Sequence, residues 1–199
     1  MKRFSILVIT LAAAFMLSAC ATASLDSYVN PAYSARSVNR VAVMPLTNQR
    51  ISAGQALELN RAFIMELQKR NPNLRVVGGH DAVAKINDAN LADVWATFLR
   101  DYATSGLPNS KSLSRVAEAL QVDAVVTGAM INVKQEDSNG WNYPVTQVSI
   151  RYTMFGGKDG PVLWEITGEG KYQPYGWHAV PVFEAAKIAH DKILNDLPT

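Results

Sequence analysis

Cysteine is nearly absent from this chain: one residue, Cys20, in 199. A lone thiol excludes an internal disulfide and any zinc site built on several thiolates. Histidine is scarce too. His80, His178 and His190 stand far apart with no ligand spacing, so no metal site is expected. The longest mostly apolar run, Phe4 to Leu17, holds 14 residues with Ser5 and Thr10 among them, whereas a membrane-spanning helix needs about 20. No Gly-x-Ser-x-Gly elbow occurs, and neither Gly78-Gly79-His80-Asp81 nor Gly157-Lys158-Asp159 completes a phosphate-binding loop. Both read as turns. An excess of either charge is also lacking. Two of the 19 basic residues and none of the 17 acidic ones precede Cys20, so the chain from Cys20 onward carries 17 of each. That balance offers no basic patch for nucleic acid and no polybasic membrane surface. No cofactor and no small-molecule substrate are indicated.

What is present begins at the N-terminus. Lys2 and Arg3 precede the apolar run, and Leu17-Ser18-Ala19 leads directly to Cys20. A basic start, a short apolar stretch and small residues before a cleavage point make an export signal, not part of the fold. Leu17-Ser18-Ala19-Cys20 resembles the bacterial lipobox, in which the cysteine thiol takes a diacylglycerol and cleavage leaves that cysteine first. Residues 1–19 are therefore expected to be a lipoprotein signal peptide, with Cys20 the lipidation site. Several acyl chains, palmitate among them, give durable anchoring where one is marginal. Ala21 in place of aspartate after the cysteine points to the outer membrane, by analogy with bacterial sorting, with the domain facing the periplasm. Residues 20–39, rich in Ala, Ser, Asn and Tyr without periodicity, read as a lipidated N-terminus and short tether. The nineteen residues from Ala21 to Asn39 reach at most about 65 Å.

Residues 40–199 read as a single domain. Arg40 to Leu46 is apolar on both faces, as for a covered central strand. Ser52-x-x-Gln55 is a capping-box pattern followed by Ala56, Leu59, Phe63, Ile64 and Leu67 on one helical face, up to Asn71-Pro72. Leu74 to Val77 reads as a strand and Asp81 to Ala89 as a short helix. Leu91, Val94, Trp95, Phe98, Leu99 and Tyr102 make the strongest helical stripe, and Leu113, Val116, Ala117 and Leu120 another. Trp95, Phe98, Leu99 and Trp164 are expected in the core. From Val122 the pattern turns to strands: Val122–Val133, then Val148–Met154 with strict alternation, then Val162, Trp164 and Ile166. Asn139-Gly140 is a hairpin signal between the first two. Pro181 opens a last helix with Val182, Ala186, Ala189 and Ile193 inward. The fold class is α/β: a mixed β-sheet with helices packed on it.

Catalytic residues are not evident. Glu165 and Glu169 lie on the polar side of a strand, Asp123 suits a turn or cap, and no enzyme is expected. The aromatics stand out more. Trp141 and Tyr143 flank a hairpin tip, and Tyr175 and Trp177 crowd a loop after the last strand. Large rings on loops suit protein interfaces and membrane–water boundaries. These four are the candidate interaction surface.

Arg40-Val-Ala-Val-Met-Pro-Leu-Thr-Asn48 resembles the opening strand of a group of envelope lipoproteins. The group contains the curli secretion channel CsgG, the Pel-exopolysaccharide lipoprotein PelC and the penicillin-binding-protein activator LpoB. Val122-Asp-Ala-Val-Val-Thr-Gly128 is similar to their aspartate–strand–glycine segment, and Thr146–Phe155 with Gly160–Glu165 to their paired strands. The resemblance implies an α/β domain that docks or assembles in the periplasm without catalytic residues. Lys134, Gln135, Glu136 and Asp137 make a poor lipid-facing strand, unlike the curli channel, and 20–39 is a short reach for a synthase activator. In size and layout the chain is most like PelC. The expected function is an outer-membrane-anchored assembly or accessory subunit of an envelope export system, with an envelope protein partner or self-association. The alternative is a regulator that activates a peptidoglycan synthase.

Overall fold

A computed structural model describes residues 20–47, 50–139, 142–174 and 178–198, with the backbone alone at 20–22 and 36. The elements run β1 (Cys20–Val29), β2 (Arg40–Val43), α1 (Ala53–Arg70), β3 (Arg75–Gly78), α2 (Gly79–Asp88), α3 (Ala92–Ser105) and α4 (Ser110–Leu120). They continue with β4 (Ala124–Glu136), β5 (Val145–Gly156), β6 (Val162–Gln173) and α5 (Val182–Asn195). One six-stranded sheet takes the order β1-β6-β5-β4-β2-β3. β2 is parallel to β3 and β4, and the remaining pairs are antiparallel. The mixed sheet and packed helices expected from the pattern are thus the observed architecture.

Local chemistry explains the boundaries. At the head of α1, Ser52 Oγ accepts the Gln55 N–H at 3.2 Å and the Ser52 N–H donates to Gln55 Oε1 at 3.0 Å. Both halves of the capping box are therefore made. Asn71 ends the helix ahead of Pro72, which cannot continue it. The Asp123 carboxylate accepts the Asn39 and Arg40 N–H groups at 2.8 and 2.9 Å. It ties the start of β2 to the start of β4, a turn-holding role.

Alternation sorts the strand side chains onto two faces. Val148, Ile150, Tyr152, Met154, Trp164 and Ile166 face α1 and α5, and Phe63 stacks on Tyr152 with ring centroids 4.1 Å apart. Ala42, Met44, Val125 and Phe155 face α2, α3 and α4, where Phe98 meets Phe155 edge-on at 5.3 Å. Phe98 and Trp164 are buried as expected. Trp95 and Leu99 are only half-buried, because both line an apolar cavity of about 280 Å³ with Met44, Val83 and Ile86.

Helix α5 lies very close to β6. A Cβ on Gly168 would fall 2.6 Å from the Ala189 carbonyl oxygen, and one on Gly170 would fall 2.5 Å from the Ala189 nitrogen. Backbone meets backbone here, which only glycine permits.

The tether reading of residues 20–39 is corrected over its first half. Cys20–Val29 is an edge strand paired with β6 through ten consecutive positions, Cys20 opposite Gln173 and Val29 opposite Trp164. A 3₁₀ turn over Ala35–Ser37 follows. The strand is held by its ladder, not by apolar burial: residues 23, 24 and 26–29 are exposed and Leu25 is half-buried over Gly168. A strand that buries so little leaves no hydrophobic alternation to read.

Candidate functional site at the Cys20 end of the sheet

Register fixes the neighbours of Cys20. Cys20 pairs with Gln173; Tyr172 pairs with Thr146, which sets Gln173 level with Val145; Val145 pairs with Glu136. Cys20, Gln173, Val145 and Glu136 therefore form one row across β1, β6, β5 and β4. With strands about 4.8 Å apart the row is roughly 14 Å wide. Beyond it lie the described residues of the β4–β5 connection, 137–139 and 142–144, and of the β6–α5 connection, 174 and 178–181. In sequence, the four candidate aromatics belong to these two connections. The β5–β6 turn at 157–161 lies at the opposite end.

The two connections are tied together. Asp137 Oδ1 accepts the Ala179 N–H at 2.8 Å, and Asp137 Oδ2 lies 3.8 Å from His178 Nδ1. The Val180 carbonyl accepts from Gln135 Nε2 at 3.0 Å and from Thr146 Oγ1 at 2.8 Å. Three hydrogen-bonding side chains, Gln135, Asp137 and Thr146, thus tie the β4–β5 end of the sheet to residues 179 and 180. Sequence reasoning missed Asp137, whose partner is 42 positions away; an acidic residue in a polar stretch carries no mark of such a contact.

Of the predicted site residues, Tyr143 is 56% exposed on this rim. Trp141, Tyr175 and Trp177 lie outside the described residues, although Asn139, Asn142, Pro174 and His178 on either side of them are at the rim. Cys20 is described by its backbone, as the first residue of β1. Of the five, the structure places Cys20 and Tyr143 at this end of the sheet.

Elsewhere the polar strand faces are engaged in structural bonding. Glu165 Oε2 accepts from Tyr102 OH at 2.9 Å and from Thr153 Oγ1 at 2.8 Å. Burial, and then that carboxylate, push the Tyr102 hydroxyl up to about 12. Glu169 Oε1 accepts from Gln147 Nε2 at 2.7 Å. In the opposite layer His190 is buried, its ring bonded to the Leu59 carbonyl and its Nε2 without a partner among the described residues. Burial lowers it to about 4. Among the described residues no group of three or more His, Cys, Asp or Glu is placed to hold a metal ion, and no helix is long and apolar enough to cross a membrane.

No family model matches the sequence, and no curated relative matches it significantly. Solved structures do match. The chain is similar to PelC from Paraburkholderia phytofirmans, solved as a dodecamer, at 15% identity over 87% of this chain and 95% of that one, with a TM-score of 0.46. The hypothetical protein CT253 from Chlamydia trachomatis matches at 16% identity over 79% of this chain and 94% of that one, with a TM-score of 0.51. The LpoB C-terminal domain from Escherichia coli matches at 14% identity over 66% and 82%, with a TM-score of 0.37. At these identities the likeness is one of fold.

Proposed function

We propose that this protein is a lipid-anchored accessory subunit of an envelope export or assembly system, held at the outer membrane through Cys20 and working by contact instead of catalysis. The observation that carries this reading is the placement of the lipobox cysteine at the first position of an edge strand. An acylated Cys20 joins the lipid to the folded domain without an intervening leash. The carboxylates that a catalytic reading would need, Asp123, Glu165 and Glu169, hold β2, Tyr102, Thr153 and Gln147 in place. A docked β1 also shortens the reach available for activating a peptidoglycan synthase in the other membrane, which weighs against that alternative.

Palmitate labelling and membrane fractionation of wild type and Cys20→Ala test the anchor. Wild type should be labelled and fractionate with outer membranes, and the variant should be released or left unprocessed. A processed variant that stays with membranes would overturn the anchor. Native mass measurement of the detergent-solubilised full-length lipoprotein tests the accessory role: assemblies with further copies or an envelope partner are expected. A single copy without a partner, at every concentration tried, would sink that part.

A further inference from the structure

We infer that the rim formed by Cys20, Gln173, Val145 and Glu136, with Asp137, Tyr143 and residues 178–180 beside it, is the surface on which the domain rests against the lipid bilayer. The inference rests on the lipidation of Cys20 proposed above and adds an orientation to it.

Cys20 pairs with Gln173 at the very end of β6. An acyl group on Cys20 must therefore enter the bilayer from the row itself. Had residues 20–39 been free, the domain would sit anywhere within about 65 Å of the membrane and in any attitude. With ten of those residues laid along β6, the anchor is part of the sheet. Whatever projects beyond the row, on the side where the chain leaves it toward the signal, meets the headgroups first. Tyr143 lies two residues before Val145, at most about 7 Å beyond the row, and is 56% exposed.

The chemistry of the rim fits a lipid surface. Its described charges do not form a basic patch: Lys134 is paired with Glu136 at 2.8 Å, and Asp137 accepts the Ala179 N–H. Attraction to anionic lipid is therefore not the driving term. An amphipathic ring such as Tyr143 settles at the boundary between headgroups and acyl chains, with its hydroxyl in water. The Asp137 and Val180 bonds hold the two connections together, so the bilayer meets one braced surface. The opposite end, with Lys158 exposed in the β5–β6 turn, points away into the periplasm.

Acylation consumes the Cys20 thiol, so any introduced cysteine is the sole reactive one. The test labels Tyr143→Cys and Lys158→Cys, each in the full-length lipoprotein, with an NBD fluorophore. Both are reconstituted into phosphatidylethanolamine–phosphatidylglycerol vesicles containing a nitroxide-bearing phospholipid. Quenching at 143 should exceed that at 158 several-fold. Asn142→Cys, also exposed on the rim, is a second probe if the tyrosine replacement disturbs folding, with the same expectation. Equal or weaker quenching at the rim positions, in protein that floats with the vesicles, would overturn the seating while leaving the anchor intact. A rim shielded from water yet not quenched by lipid would mean that another copy covers it, and would overturn the seating as well. Wild-type protein that fails to float would instead refute the lipid anchor, and the seating with it.

Discussion

His190 should make this domain sensitive to acid well above the carboxylate range. The side chain is 1% exposed on the inner face of α5, with its ring centroid 5.9 Å from that of Tyr152. Its single partner, the Leu59 carbonyl, favours the charged ring, but burial outweighs it and lowers the imidazole from 6.5 to about 4. An imidazole harder to protonate when folded stabilises the fold above the unfolded value of 6.5, and that stability disappears as pH falls toward 4. The gap corresponds to about 3 kcal/mol, of which about 2 kcal/mol is gone by pH 5. Urea titrations at pH 7.5, 6, 5 and 4.5 measure it, with His190→Phe as the comparison that cannot titrate. Wild type should lose about 2 kcal/mol more than the variant between pH 7.5 and 5. Parallel curves would refute the reasoning, because they would mean that the folded interior accepts a charged imidazole as readily as water does.

Phe98→Ala should cost about 3–5 kcal/mol in a denaturant titration, since the ring is buried between Trp95, Tyr102 and Phe155 and the sheet beneath cannot close the cavity; a loss under about 1 kcal/mol would show that α3 is not bound to the core. Gly170→Ala should lower stability by about 1–3 kcal/mol, because the added methyl group meets the α5 backbone at Ala189. Thermal melting checks it, and an unchanged midpoint would mean that α5 is free to lift from β6.

Much of this protein was legible one residue at a time. The export signal and lipidation proposed at Cys20 rest on a short contiguous pattern of the kind that sorting machinery recognises. The helices were readable because an amphipathic stripe and a capping box are local: Ser52 and Gln55 meet across three residues whatever the rest of the chain does. The buried faces of β5 and β6 followed from alternation, which solvent imposes on any half-covered strand. Even the choice of glycine at 168 and 170 is printed in the sequence, but its reason is not, since α5 arrives there from twenty residues away.

Tertiary structure alone decided the rest. β1 has too little apolar surface to announce itself, and it is a strand only because β6 offers a free ladder to it. Asp137 looks like any solvated carboxylate until Ala179 is brought to it. The neighbourhood of Cys20, Tyr143 and the two connections depends on register, and register is a property of paired strands, not of either strand alone. Local physics therefore determined what most segments are, while the pairing of strands distant in sequence made β1 a strand and determined which segments share an end of the molecule.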